Sequence, residues 1–349
     1  MTDWLEYLKS RGALVRQPPG DAPDGPARIA GFGNPELEHA AARHGALACP
    51  LPDWTALSVG GPEATAFLHG QFTNDVAGLA VGAVQLNGYC SPKGRMLASF
   101  PLARVAADEY LLVVPADIAP ALAKRLRMFV LRARVAIATL DASHACVGLA
   151  GPAGQSGAQP RAVHQEEGVT VLGLPDGRML AVCAASRVLP FWESVTRSAT
   201  PAGAPVWDWL AINAGTPVIT AATQDKFVPQ MLNFELVGGV SFQKGCYPGQ
   251  EIVARMQYLG KLKERLYRAH VEGADGIAAG DPLFGAQFGD QACGAIVNAA
   301  PAPDGGRDLL AVIQIASAQN DRIRVAQAAA APVLALLPLP YTVPAPQPR

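Results

Sequence analysis

Three features of the chain predict an α+β fold. The order of elements between residues 53 and 140 reads strand, helix, strands, helix, strand, as in an antiparallel sheet covered by helices. Beyond Gly260 the texture changes to short apolar runs punctuated by Gly, Pro and Asp, the mark of a small barrel or sandwich. The bulk numbers also suit folded domains: 349 residues, 50% of them hydrophobic and 16% charged, are material for two or three packed cores.

The elements follow in order. Residues 1–11 alternate acidic, aromatic and basic types and form a short amphipathic helix capped by Thr2 or Asp3. Residues 17–31, rich in Pro, Gly and Asp, are an extended connection, and regular structure is expected from about Asp53. A strand at 55–59 ends in the turn Gly60-Gly61-Pro62, and the helix at 63–70 places Ala64, Phe67 and Leu68 on one face. Strands at 84–90 and 96–104 flank the turn Ser91-Pro92-Lys93-Gly94. A strand at 110–114, a helix at 118–129 and a strand at 135–140 complete the block. The Gly/Ala/Pro/Ser loop at 151–159 is a candidate boundary. Strands at 169–174 and 179–183 and helices at 190–198 and 206–213 follow. The last block carries strands at 264–271, 282–284, 295–297, 309–315 and 333–337, then a Pro-rich tail. The expected segments are 1–50, 51–150, 151–257, 258–342 and a tail at 343–349.

A formal net charge of -1 gives no field for direct nucleic-acid binding. Lys124, Arg125, Arg127, Arg132 and Arg134 read as a solvated face. Arg255, Lys261, Lys263, Arg265 and Arg268 either attract a ligand's or partner's carboxylates or are ordinary surface charge. No apolar run reaches the ~18 residues of a membrane span, and the N-terminus lacks a signal peptide's apolar core, so a cytoplasmic protein is expected. The six cysteines contain no CxxC pair, which argues against a zinc ribbon or a resident cluster, and no metal site is expected. Cys49, Cys90, Cys146, Cys183 and Cys293 lie in apolar contexts that suit buried residues.

The exception is Cys246, bracketed by Gly245 and Gly249 and followed by a helix beginning near Glu251. A helix N-terminus and Lys244, two residues away, both favour a thiolate over a thiol. Such a thiolate acts as a nucleophile or a transient metal ligand; the residues alone are equally compatible with a buried cysteine in a glycine-rich loop.

Lys244-Gly245-Cys246-Tyr247-Pro248-Gly249-Gln250-Glu251 resembles the signature K-G-C-[FY]-x-G-Q-E of the YgfZ family at all seven specified positions. Gly70-Gln71-Phe72-Thr73-Asn74-Asp75-Val76, Lys93-Gly94-Arg95-Met96, Ala214-Gly215-Thr216-Pro217-Val218-Ile219, Phe227-Val228-Pro229-Gln230 and Pro338-Leu339-Pro340-Tyr341 resemble further family segments. The likeness runs from about Trp54 to Tyr341 and leaves the first fifty residues uncovered. It implies the fold of the glycine cleavage T-protein: three domains around a central folate channel, the last a small β-barrel. It implies tetrahydrofolate as cofactor and a role in assembly or repair of iron–sulfur clusters. Iron–sulfur client enzymes, such as radical-SAM tRNA-modifying enzymes, and cluster carriers would be the partners. Cys246 and Lys244 are then the reactive pair, and Trp54, Trp207, Asn213, Tyr247, Gln250 and Glu251 the folate-binding set. Trp209, two residues beyond Trp207 on a helix, points elsewhere and is expected in the core.

Two departures shape the reading. T-proteins carry a catalytic Asp after the strand, whereas Lys93-Gly94-Arg95-Met96-Leu97-Ala98 offers no carboxylate, so aminomethyl transfer is not expected. The family commonly has Glu before the A-G-x-P segment; Asn213 stands there and cannot accept two parallel hydrogen bonds as a carboxylate does. Gln224, Asp225, Gln230 and Glu235 are candidates to compensate. The alternative function is a folate-dependent one-carbon transferase or demethylase using Cys246 or Asp75, although Asp75 suits a turn-bracing role better.

Overall fold

The computed structural model of the chain describes residues 2–16, 25–151, 159–274 and 276–344. Parts of three expected irregular segments (17–24, 152–158 and 345–349) lie outside these residues. The chain divides into two compact units: Met1–Asn87 with Phe100–Trp207, and Gly88–Ser99 with Asp208–Arg349.

The first unit holds two large sheets and a two-stranded one, Leu14–Arg16 with Arg28–Gly31. One has five strands in the order Val84–Cys90, Met96–Ala106, Glu109–Pro115, Trp54–Gly60, Ala136–Thr139, the first hairpin's tip at 88–99 belonging to the second unit. Its apolar, β-branched stretches pair in register, Leu57 with Leu112 and Val59 with Tyr110. The helix Ala119–Val130 starts with Pro120 in its first turn and buries Ala119, Leu122, Ala123 and Leu126, a 3.6-residue stripe.

The other sheet has six strands: Val163–Glu166, Val169–Gly173, Met179–Ala184, His144–Ala150, Leu47–Pro50 and Thr200–Pro201. The expectation that regular structure begins near Asp53 is corrected here. Leu47–Pro50 is an interior strand of this sheet, and a helix, Pro35–His44, precedes it. Asn34 caps that helix by accepting from Leu37 N at 3.0 Å, and Pro35 sits in its first turn. Glu38 on the helix is buried; Oε1 accepts from Phe32 N at 2.7 Å and Oε2 from Gly203 N at 2.9 Å. The amphipathic N-terminal helix, Thr2–Ser10, docks Trp4 and Leu8 into the core, with Trp4 edge-on to Trp192 at 5.6 Å between centroids.

The second unit carries the strands after Gly260 as one antiparallel sheet: Pro282–Phe284, Ala292–Pro301, Arg307–Gln314, Glu264–Val271, Ala335–Leu337. The expected small barrel is not closed by these strands: the ladder stays open between its first and last members. Arg324 alone bridges to Phe284 on one side and Val333 on the other. Leu283, Ile296, Leu309, Ala311 and Ile313 form the centre of its core. The strand expected at 295–297 is the longer Ala292–Pro301, with an irregularity between Ile296 and Asn298.

Candidate functional site

Cys246 lies in the irregular segment before the helix Gln250–Tyr258 and is exposed; the other five cysteines are buried, as their contexts predicted. Burial pushes Cys90 and Cys183 up to about 12 and raises Cys146 and Cys293, so these thiols stay protonated.

The loop that holds Cys246 is fixed by a close glycine contact. Gly249 adopts φ +79° and Gly94 φ +70°. A Cβ on Gly249 would fall 2.4 Å from Ser91 O and 2.6 Å from Gly94 Cα; one on Gly94 would fall 2.9 Å from Ile252 Cβ. The two motif glycines therefore bring the hairpin tip and the Cys246 loop into backbone contact. The tip is held in turn by 224–227. Ser91 Oγ donates to Asp225 Oδ1 at 2.7 Å, Arg95 Nη1 to Lys226 O at 2.7 Å, Met96 N to Phe227 O at 2.7 Å and Gln224 Nε2 to Leu97 O at 2.6 Å. Gln230 Nε2 donates to Val253 O at 2.7 Å, tying the F-V-P-Q segment to the helix after Cys246. Gly215 and Tyr341 join two further motifs, with Tyr341 Oη donating to Gly215 O at 2.9 Å.

Each site residue expected from sequence has a definite place. Lys244 Nζ lies 4.9 Å from the centroid of the Tyr247 ring, a cation–π contact within the loop. Tyr247 is buried, which raises its phenol pKa, with Cys90 adding to the effect. Gln250 N donates to Tyr247 O at 3.1 Å and starts the helix; Glu251 is exposed in its first turn. Asn213 ends the helix Ala204–Asn213, and its Nδ2 donates back to Trp209 O at 2.9 Å. Trp209 is core, as expected, its Nε1 donating to Asp308 Oδ2 at 2.9 Å.

Trp54 and Trp207 both belong to the first unit, Trp54 on the five-stranded sheet and Trp207 on the helix Ala204–Asn213. Trp54 is half-buried at the start of its strand, opposite Pro115. Trp207 is 2% exposed. Its ring packs on the backbone of Gly148, where a Cβ would come within 2.6 Å, and the Arg178 guanidinium lies 4.4 Å from the ring. Asp176 holds that guanidinium through Nε at 3.0 Å and Nη2 at 2.7 Å. Burial opposes ionisation of Asp176, but Arg178 outweighs it and the pKa falls.

Of the candidates to compensate for Asn213, Gln224 and Asp225 are engaged with the hairpin tip, Gln230 with Val253, and Glu235 with Arg265. Asp75 braces its turn, accepting from Gly78 N at 3.0 Å. Among the described residues no group of three His, Cys, Asp or Glu is placed to hold a metal ion, and no helix is long and apolar enough to cross a membrane.

The fold defines the class. Over 95% of this chain and 94% of the other, the structure superposes on the glycine cleavage system aminomethyltransferase T of Bartonella henselae, with a TM-score of 0.78 at 14% identity. Residues 31–165 match the GCVT N-terminal domain family. The particular family is shown by sequence. The tRNA-modifying protein YgfZ of Serratia proteamaculans is 30% identical over 309 residues, 84% of this chain and 92% of that protein. Its namesakes from Colwellia psychrerythraea and Cronobacter sakazakii are 30% and 28% identical, over 84% and 88% of this chain and 92% and 97% of theirs. The chain belongs to the YgfZ family. The domain match begins at residue 31, so the likeness reaches further toward the N-terminus than the motifs indicate.

Proposed function

We propose that this protein binds a reduced folate and acts in the assembly or repair of iron–sulfur clusters in client enzymes, using Cys246. The clients are tRNA-modifying enzymes of the radical-SAM kind, in keeping with the name borne by its relatives. The segments 51–150, 151–257 and 258–342 are the three domains of this arrangement, and the protein works in the cytoplasm.

The observation that carries the reading is the convergence of two matched motifs, Lys93–Met96 and Phe227–Gln230, on the Cys246 loop. Ser91 to Met96, Gln224 to Phe227, Gln230 and Gly249 are all engaged in holding the one segment whose cysteine is exposed. A single thiolate supplies one ligand, so a cluster is handled as cargo, its remaining iron sites met by thiols of the client or carrier. The segment that would carry a transferase's acid offers Arg95 instead, whose guanidinium is engaged by backbone carbonyls.

For folate, the residues present fit a flat aromatic ring better than they fit a carboxylate grip. Trp54 offers a partly uncovered aromatic face, and Trp207 is a buried support braced by Arg178. Asn213 has one amide proton committed to its own helix. A bound tetrahydrofolate would supply one-carbon or redox-sensitive pterin chemistry; the chain's own part is to hold and orient it.

Two experiments test this. In a deletion strain, Cys246→Ala is expected to fail to restore activity of a client tRNA-modifying enzyme, whereas Cys293→Ala restores it; full restoration by Cys246→Ala ends the cysteine mechanism. In an anaerobic titration with tetrahydrofolate, saturable quenching of tryptophan fluorescence is expected, and reduced in Trp54→Phe. Trp207→Ala is the poorer variant, because emptying that core position costs about 3–5 kcal/mol. Steady turnover of an aminomethyl or methyl donor would instead favour a folate-dependent transferase.

A further inference from the structure

The helix Gln250–Tyr258 buries Val253, whose carbonyl oxygen Gln230 holds. Polar side chains are expected on the opposite, outward side of such a surface helix. Instead, Ile252, Arg255 and Tyr258, three residues apart, share that side with Leu259 just past the helix end. Ile252 is 39% exposed, Tyr258 68% and Leu259 78%. Phe242 packs edge-on against Tyr258, with 6.1 Å between ring centroids and 71° between planes. The apolar face therefore links the segment before Cys246 to the far end of the helix after it. Cys246 follows Phe242 by four residues, a reach of at most about 14 Å. A partner burying about 800 Å² covers a disc of about 16 Å radius, enough to take in the aromatic pair and the exposed thiol together.

The charge around this face is one-sided. Residues 242–263 hold Lys244, Arg255, Lys261 and Lys263 against Glu251 alone, in a chain whose 28 Lys and Arg are balanced by 29 Asp and Glu. Of the basic cluster expected from sequence, Arg265 is engaged by Glu235 and Arg268 faces Asp308. Arg255, Lys261 and Lys263 are exposed and make no ion pair among the described residues. An exposed apolar face rimmed by unbalanced cations has the anatomy of a protein interface with an acidic partner.

We infer that the face formed by Phe242, Ile252, Tyr258 and Leu259, with its rim of Arg255, Lys261 and Lys263, docks the client enzyme through an apolar patch ringed by Asp and Glu. This rests on the functional reading above, in which Cys246 acts on a client. Docking on this face sets the client beside the thiol. The thiolates that hold the client's cluster add to the negative charge that the rim attracts. A second exposed patch, Met128, Phe129 and Leu131 with Lys124 and Arg132, lies in the first unit with no exposed cysteine in that unit, and so serves as a control.

The test is an affinity titration of the full chain with a purified radical-SAM tRNA-modifying enzyme whose tRNA modification is lost in the deletion strain. Four proteins are compared, each with its Tm: wild type, Tyr258→Ser with Leu259→Ser, Lys261→Glu with Lys263→Glu, and the control Lys124→Glu with Arg132→Glu. Affinity is expected to fall at least about tenfold in the two Tyr258–Lys263 variants and to stay within about twofold in the control. Tm stays at the wild-type value in all, because these side chains are exposed. Wild-type affinity in both Tyr258–Lys263 variants overturns the inference and leaves the Cys246 reading standing, since Cys246→Ala is judged by restoration of client activity. An equal loss in the control overturns it, because bulk charge then explains binding. A fall in the Tm of both variants overturns it too, because the residues then serve packing. Binding of purified tRNA that Lys261→Glu with Lys263→Glu abolishes while the enzyme still binds gives the face to a polyanion. A wild-type dimer in sedimentation that Tyr258→Ser with Leu259→Ser dissociates gives it to a second copy; either result overturns the inference. If no tRNA modification is lost in the deletion strain, the functional reading fails and the inference with it.

Discussion

Asp308 is buried and gathers three donors: Trp209 Nε1 at 2.9 Å, His270 Nδ1 at 2.8 Å and, more distantly, Arg268 Nη2 at 3.6 Å. Burial alone would lower the His270 pKa. The hydrogen bonds that its ring donates to Asp308 and Glu272 outweigh burial and raise it. A raised folded-state pKa adds stability that is fully present below the unfolded pKa and lost as pH rises through the folded one. His270→Gln is therefore expected to lower Tm most at mildly acid pH, the gap from wild type narrowing above the ordinary imidazole range. A gap that ignores pH would mean that the ring acts only by packing. Gly249 gives a second prediction at this scale. Gly177 has φ +86°, and a Cβ added there would meet nothing within 4 Å, whereas Gly249 has φ +79° and a Cβ there would meet Ser91 O at 2.4 Å. Gly177→Ala should show only the left-handed backbone penalty, about 1–3 kcal/mol. Gly249→Ala should exceed it in urea unfolding; equal losses would show that the hairpin tip yields easily.

At the scale of elements, the helix Pro35–His44 carries start and stop signals that are local to the chain. Asn34-Pro35-Glu36 is a cap, a first-turn proline and a first-turn acid, and Arg43 and His44 fall in the last turn. These signals sit among Pro- and Gly-rich stretches whose composition favours loops, and the composition masks them. The strand Leu47–Pro50 is less legible: four residues, buried throughout, show no alternation, and only its neighbours make it a strand. Glu38 links that helix to two backbone donors, Phe32 N nearby and Gly203 N far along the chain. Glu38→Ala is expected to destabilise the protein by about 2 kcal/mol or more, because the Gly203 N–H is left buried without its acceptor. Glu38→Gln, which keeps one acceptor, should cost less. A negligible loss in both, measured by denaturant unfolding, would mean that water replaces the carboxylate.

Across the whole molecule, the distribution of thiols decides where sulfur chemistry can occur. Cys246 is exposed; Cys49, Cys90, Cys146, Cys183 and Cys293 are buried. The native protein is expected to react rapidly with about one equivalent of a thiol reagent, and with all six cysteines only after unfolding. Reaction that persists in Cys246→Ala would show that another cysteine becomes accessible. The family, the central strands and helices, and the distinctive cysteine are all readable from sequence, because motif residues and apolar periodicity are local properties of the chain. Packing alone settles that Trp207 is covered by Arg178 and Gly148, that Gly94 meets Gly249, and that Phe242 meets Tyr258. These depend on which distant segments share a surface. A residue's neighbours, and hence its desolvation and hydrogen bonding, follow from the three-dimensional arrangement and not from its position in the sequence.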